Sequence, residues 1–372
     1  MIALFLKLLV LLHPSKLMID VVFHAHRLQW ILDGRWFFTQ PMPSGVRFPY
    51  AIGLYVFAAP WTLMTDDFVT LLRLIVTTAE AAGGVLLYWL IRRFWDDRPA
   101  AAVAAVLFTL VPRTFEIVGN ANMTNAFGQS VAFAVLGAAT LWTLRWGHWK
   151  PWTAFMLLTA GALLCHISTF TLLGAILLSL VAAYRLFGAR ELRGPALSIL
   201  TAAAVAALLA VVLYYGHFGD AYRSAARVQT AVDAGATAML AAAPFTTKIV
   251  DAATLTVAAV GWPMFLLAVP GAFLVWRAGR RDRFTLALVA LGATFAAFSI
   301  SVILAPVEQS FQRYAAEFFS RVTLATYPVV VTCAAVGALA AWRSGGLWRV
   351  LGAGAMMGAV AVGVREWVQW LR

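Results

Sequence analysis

Three clusters of charged side chains interrupt an otherwise apolar chain, and each could hold an anion or move a proton. In 20–38 (DVVFHAHRLQWILDGRWFF), Asp20, His24 and Arg27 share a helical face at i, i+4 and i+7, while Val21, Ala25, Leu28, Leu32 and Trp36 form an apolar stripe. That pattern describes a helix lying in a membrane interface with a carboxylate in its first turn. Asp20 is then either the N-cap of this helix, a role Asp fills well, or a carboxylate available for chemistry. Arg73 lies about two turns inside an apolar run, where a cation is costly. It must snorkel outward, pair with Asp66 or Asp67, or meet an anionic head group. In 312–321 (QRYAAEFFSR), Arg313, Glu317 and Arg321 share a face beside Tyr314, and Glu317 can bridge the two arginines as a helical neighbour.

The remaining polar residues speak less loudly. His24 and His26 bracket the interfacial helix and His166 stands at a turn between apolar runs, so all three read first as interfacial anchors. His24 is also placed to orient Asp20 or to touch a diphosphate. The loop 113–122 and the residues after it offer Glu116, Asn122 and Asn125. Cys165 and Cys333 both lie in apolar runs and read as small core residues. No Ser-His-Asp order, phosphate-binding glycine loop or Cys/His metal spacing is present.

The elements that must position these groups follow from charge. Of the 28 Lys and Arg, fourteen fall in five short stretches: 92–98, 145–150, 185–194, 277–283 and 343–349. The apolar runs between them are near the ~20 residues needed to cross a bilayer core, and short basic loops stay cytoplasmic. With 62% hydrophobic and 12% charged residues and a mean hydropathy of +0.84, the chain reads as an all-α, polytopic integral membrane protein. Its net charge of +12 comes from basic loop ends, which set topology and give no reason to expect a nucleic-acid partner.

The expected spans are 67–91, 98–116, 123–144, 151–166, 167–184, 195–216, 251–276, 284–305, 322–342 and 347–365. A short first run, Ile2–Leu12, makes about eleven crossings and is read as a helix whose upstream half is missing. Residues 151–184 must turn back, since one helix of that length would be about 51 Å long, and the turn falls at 166–169. Residues 13–66 form the first external loop with its interfacial helix, and 217–250 form another, with 49–63 embedded rather than crossing. The whole of 1–372 is then one transmembrane domain without a separate soluble part, and without an internal repeat.

Asp20, Phe48-Pro49-Tyr50, Gly53-Leu54-Tyr55, Leu72-Arg73-Leu74, Tyr88 with Arg92-Arg93, and Ala100–Pro112 together resemble the GT-C glycosyltransferases. That superfamily includes the protein O-mannosyltransferases and the lipid A aminoarabinose transferases, and the resemblance is best over 1–190. It implies a donor sugar on a polyprenyl phosphate, Asp20 as the general base on the acceptor hydroxyl, and Arg73 and Arg321, then Arg313, holding the donor phosphate. His24, Glu116, Asn122, Asn125, His166 and Tyr314 become supporting residues. Where many relatives carry a second acid, this chain has Asn122 or Asn125, which cannot act as a base. A divalent metal held by two carboxylates is therefore not expected, and no other cofactor is implied.

The resulting expectation is an inverting glycosyltransferase of the cytoplasmic (inner) membrane, with its active site on the external or periplasmic side and its loops in contact with the bilayer. Its partners would be a polyprenyl-phosphate-linked sugar and an acceptor lipid, glycan or protein. A flippase for lipid-linked saccharides, or a non-catalytic subunit of a glycan assembly complex, is the alternative. A flippase calls for polar groups at mid-membrane, where Glu80 is the main acid.

Overall fold

The computed structural model describes residues 19–41, 47–112, 123–142, 148–224, 245–304 and 323–371, with isolated positions outside these runs; for Asp20 it gives the backbone alone. Thirteen α-helices occur among these residues, with one two-stranded hairpin. The first is α1 (Ile19–Leu32), followed by strands β1 (Thr39–Pro41) and β2 (Arg47–Pro49), paired antiparallel with Thr39 opposite Pro49. Helix α2 (Gly53–Ala58) runs on as a tighter turn to Leu63, giving an eleven-residue helical stretch too short to span a bilayer.

Helix α3 (Phe68–Trp95) starts at Asp67, whose Oδ1 accepts from Thr70 N at 3.0 Å and whose Oδ2 accepts from Thr70 Oγ1 at 2.6 Å. It ends at the opposite pole, where Asp96 takes a left-handed conformation (φ 52°) and pairs with Arg92 at 2.6 Å. Asp97 caps α4 (Arg98–Thr109) through Ala100 N at 3.0 Å. The expected span 98–116 is corrected here: α4 stops at Thr109, because Pro112 lacks an N–H and disfavours helix in the residue before it.

The core continues with α5 (Met123–Leu141), α6 (Trp149–Leu163), α7 (Ile167–Leu186) and α8 (Arg193–Leu213). The expected reversal in 151–184 falls at residues 164–166, where His166 is extended (φ −162°, ψ 145°) and caps α7 by accepting from Ser168 N at 3.1 Å. After α8 the chain makes one tight turn, Tyr215–Phe218.

Residues 251–276 do not form one straight helix. Helices α9 (Phe245–Val260) and α10 (Trp262–Arg277) meet at a 100° bend on Gly261. Its φ of 92° lies where side chains are strained, and Pro263 then starts α10, where its missing N–H costs nothing. A Cβ on Gly261 would rest in ordinary contact with Val362 of the chain's last helix and with Pro112, so that helix and the segment after α4 line the bend.

Helices α11 (Arg283–Leu304), α12 (Thr323–Ser344) and α13 (Gly346–Leu371) complete the bundle. The backbones of α10 and α12 touch at Gly271 against Cys333 and at Gly337 against Leu267, an approach only glycine permits. Six helices among the described residues are long and apolar enough to cross a membrane, or seven if the bent pair counts as one. The protein is a polytopic helical membrane protein, but the count of eleven crossings is not reproduced.

The interfacial helix also differs from expectation. α1 stops at Leu32, before a left-handed Gly34 (φ 78°), and both Leu32 and Trp36 are exposed. Its buried side carries Val21, Leu28 and Ile31, each worth about 1.5–3 kcal/mol when fully withdrawn from water. His24 and Arg27, expected on the polar face, are buried as well, at 2% and 8% exposure. The reason is non-local: α1 lies against α2 and α3, which cover two faces of it.

Candidate functional site

One end of the bundle gathers α1, the hairpin, α2, the start of α3, the α6–α7 turn and the end of α8. These pieces meet on the segment Tyr50–Tyr55. His24 Nδ1 lies 2.7 Å from Tyr55 Oη, joining α1 to α2. Phe23 packs edge-on to Tyr50 at 5.2 Å between ring centres. Tyr214 Oη donates to the Tyr50 carbonyl, and Tyr215 Oη donates to the Leu163 carbonyl at 2.8 Å. Gly53 N donates to the Leu164 carbonyl at 2.7 Å. A Cβ on Gly53 would stand 2.7 Å from Cys165 Sγ and 2.8 Å from Cys165 N, so only glycine lets α2 rest on the α6–α7 turn. Burial pushes the Tyr55 phenol well above its ordinary range, with Tyr50 nearby adding to the rise, so Tyr55 stays protonated at neutral pH.

Arg27 stands inside an aromatic cage, its guanidinium 3.7 Å from the ring centre of Trp30, 4.5 Å from Phe23 and 5.2 Å from Phe38. Its Nε is buried without a hydrogen-bond partner, and burial lowers its pKa below the usual guanidinium value. The cage clasps the hairpin onto α1 through Phe38.

Arg73 is half-buried near the start of α3, and its Nε is buried without a hydrogen-bond partner. No ion pair involves it among the described residues. Asp67, the proposed internal partner, commits both carboxylate oxygens to Thr70. Those hydrogen bonds hold the Asp67 carboxyl below the usual carboxylate range. Arg73, Thr77 and Glu80 follow one another along one face of α3. Glu80 lines a cavity of about 50 Å³ together with Thr114, Gln129 and Tyr327.

Asn125 and His166 are brought together through a residue that the sequence did not single out. Ser168 Oγ lies 2.6 Å from His166 Nδ1 and donates to Asn125 Oδ1 at 3.2 Å, and Gln129 Nε2 donates to the same oxygen at 3.1 Å. Two donors on one oxygen fix the carboxamide orientation and leave Nδ2 as a buried donor without a partner. Thr124 Oγ1 and Thr169 Oγ1 are likewise buried and unpartnered, at the starts of α5 and α7.

Glu116, Asn122, Arg313, Tyr314 and Arg321 lie outside the described residues, as does the Asp20 side chain; its backbone is in the first turn of α1, one turn before His24. Sequence reasoning assigned no role to Tyr55, Tyr214, Ser168 or Gln129. The signals were faint: Ser168 two residues after His166, and Gln129 one helical turn beyond Asn125.

No protein-family profile matches the chain, and no curated protein does. Solved structures do match it. The oligosaccharyltransferase AglB from Archaeoglobus fulgidus, in complex with an inhibitory peptide and a dolichol-phosphate, aligns over 99% of this chain and 55% of its own at TM-score 0.60 and 14% identity. ArnT from Cupriavidus metallidurans, bound to undecaprenyl phosphate, aligns over 92% of this chain and 70% of its own at TM-score 0.52 and 13% identity. The chain shares its fold with these two proteins. At this identity the likeness is one of architecture, and the chain spans about half the length of the oligosaccharyltransferases it matches.

No group of three His, Cys, Asp or Glu among the described residues could hold an ion, and Asn125 Oδ1 already accepts two hydrogen bonds.

Proposed function

We propose that this chain transfers a sugar from a polyprenyl-phosphate donor to an acceptor at the outer face of the cytoplasmic membrane. The observation that carries the reading is the whole-chain fold match to two enzymes whose structures hold a dolichol-phosphate and an undecaprenyl phosphate. Arg73 supports it: it feels Asp67 electrostatically but makes no ion pair among the described residues, its Nε lacks a hydrogen bond, and a cation held at that depth favours an anionic head group.

Asp20 takes the proton from the acceptor hydroxyl as its oxygen bonds to the anomeric carbon, and the bond from that carbon to the phosphate oxygen breaks with inversion. The electron pair leaves on the polyprenyl phosphate, whose charge Arg73, with Arg321 and Arg313, stabilises. Tyr55 holds His24, and His24 stands one turn from Asp20 on the same face of α1. Asn125 and His166 would contact substrate oxygens from the α5–α7 side, and 217–250 would frame the acceptor entrance.

The test is transfer of radiolabel from polyprenyl-phosphomannose, -glucose or -arabinose by the purified protein in proteoliposomes. Label should leave the mild-acid-labile donor in the presence of envelope extract with the wild-type chain and not with Asp20→Asn. Equal release by both removes Asp20 as the base, and release by neither with any donor rejects this reading.

A further inference from the structure

The pole opposite the candidate site holds a cavity of about 560 Å³, where the end of α3, the start of α4 and the end of α12 come together. Arg92, Trp95, Asp96, Asp97, Arg98 and Arg343 line it, three guanidinium groups against two carboxylates. Helix α3 sets its depth. Its 28 residues span about 42 Å at 1.5 Å per residue, close to the ~40–45 Å of a bilayer with its headgroups. With Phe68 at one interface, Trp95 stands in the headgroup layer of the other. Trp342 and Trp348, both exposed at the α12–α13 turn beside Arg343, mark the same level, where amphipathic indoles gather.

We propose that this cavity binds the phosphodiester of an anionic phospholipid, in the leaflet that meets this pole. The proposal is independent of sugar transfer and stands or falls without it.

Charge is the first reason, because the carboxylates here are engaged and the cations are not. Asp96 Oδ1 pairs with Arg92 at 2.6 Å. Asp97 Oδ1 accepts from Ala100 N at 3.0 Å as the cap of α4, and its Oδ2 lies 3.5 Å from Arg343. Arg98 is exposed and makes no hydrogen bond or ion pair among the described residues. A guanidinium carries several N–H donors, and these pairs engage one nitrogen each of Arg92 and Arg343. The remaining donors suit a phosphate, which Arg holds in bidentate fashion. A zwitterionic headgroup brings an ammonium that Arg98 repels and that finds both carboxylates taken, so a net negative headgroup is favoured.

The cavity is also held in shape. Trp95 Nε1 donates to Thr285 Oγ1 at 3.1 Å, and the Arg280 guanidinium lies 5.2 Å from the Trp95 ring centre. The floor is therefore fixed to α11, and a ligand need not order it on binding.

The surface below the cavity separates a lipid from a free phosphate ion. On α3, Val85, Trp89 and Arg92 share a face at i, i+4 and i+7, and Val85 and Trp89 are exposed. On α4, Ala102 and Val106 follow Arg98 at steps of four residues, and both are exposed. Two of the cations thus head apolar ridges that run toward the bilayer centre. A phospholipid fits this order of charge and apolar surface, whereas a free ion would use only the charged end.

The experiment titrates purified, delipidated protein in detergent with phosphatidylglycerol, phosphatidylcholine or inorganic phosphate, read by native mass spectrometry and thermal unfolding. Phosphatidylglycerol should bind about tenfold tighter than phosphatidylcholine, a difference of ~1.4 kcal/mol, and raise the thermal midpoint. Millimolar phosphate should neither displace it nor raise the midpoint. Arg98→Gln combined with Arg343→Gln should lose both the preference and the rise. Its lipid-free midpoint should stay near that of the wild type, because Asp97 keeps its cap and an exposed pair contributes little. Arg98→Gln alone breaks no contact among the described residues and should weaken phosphatidylglycerol binding in the same direction. Arg190→Gln combined with Arg193→Gln removes equal charge from the loop between α7 and α8 and should change nothing.

Equal affinity for the two lipids overturns the anionic-headgroup assignment. A preference that survives loss of Arg98 and Arg343, or that falls as far on loss of Arg190 and Arg193, overturns the cavity as the site. Displacement by millimolar phosphate makes it a site for a free anion and overturns the lipid.

Discussion

His24 Nδ1 and Tyr55 Oη are 2.7 Å apart, both all but excluded from solvent, and this one contact ties the helix that carries Asp20 to the short helix that rests on the α6–α7 turn. It converts α1 from a helix free to lie anywhere in the interface into one with a fixed rotation about its axis. The face carrying Asp20 is thereby set relative to the start of α3 and to Arg73.

Tyr55→Phe is expected to destabilise the protein by about 1–3 kcal/mol, since a buried hydrogen bond to His24 Nδ1 is lost. The phenol is held above its ordinary pKa, so its contribution is fully present below about pH 10 and is lost as pH rises through the higher folded value. Thermal unfolding against pH should show that alkaline decline in the wild type and a weaker one in Tyr55→Phe. Identical pH dependence would mean that burial of the Tyr55 phenol is not linked to stability, and an unchanged midpoint near neutral pH would mean that the contact with His24 contributes nothing.

Asp67→Ala should cost about 0.5–1 kcal/mol, the low end for a lost N-cap, because this carboxylate is exposed and screened. Its hydrogen bonds from Thr70 depress its pKa, so the contribution is present above about pH 3.9 and declines as pH falls through the lower folded value. Asp67→Asn keeps the cap and should lose little. Equal losses for Ala and Asn would show that charge, and not capping, is what matters.

Arg73→Gln is expected to weaken polyprenyl phosphate binding by about 1.5–3 kcal/mol, the worth of a charge-assisted hydrogen bond. The protein should stay folded, since no carboxylate among the described residues is left unpaired by the change. Titration with polyprenyl phosphate in detergent measures it, and Arg73→Lys should recover part of the loss. Unchanged affinity in Arg73→Gln removes Arg73 from the donor site.

Gly261→Val should destabilise by about 1–3 kcal/mol, because a β-branched residue at φ 92° is strained and Val362 crowds the site. A thermal midpoint equal to that of the wild type would indicate that the α9–α10 bend does not need this conformation.

Charge spacing and run length made the long helices legible: α3, α7 and α8 begin and end within a few residues of expectation. Interruptions inside apolar runs were harder to read, because a helix that is apolar all round carries no phase that a break would disturb. Gly261-Trp262-Pro263 and Pro112 were the local signs of the two that were missed. At the site, the shared face of Asp20, His24 and Arg27 was visible in the spacing, but its burial was not. Its covering partner Tyr55 lies 31 residues away, and Ser168 reaches Asn125 across 43. Such contacts are set by how helices dock, which local spacing does not encode.

Asp20→Asn is expected to abolish transfer while leaving the fold intact. Asn retains the size and most of the capping ability of Asp, so the start of α1 should survive, and the contacts of Val21, His24 and Leu28 are untouched. What Asn lacks is basicity, and general-base assistance of about 10²–10⁴-fold should vanish from kcat at saturating donor. A misplaced α1 would instead raise the donor KM and lower the thermal midpoint together, so measuring all three separates lost chemistry from lost structure. Wild-type turnover in Asp20→Asn would make Asp20 a helix cap only, and the proton would then have to be taken by another carboxylate, Asp33 or Glu116, or the enzyme reading dropped.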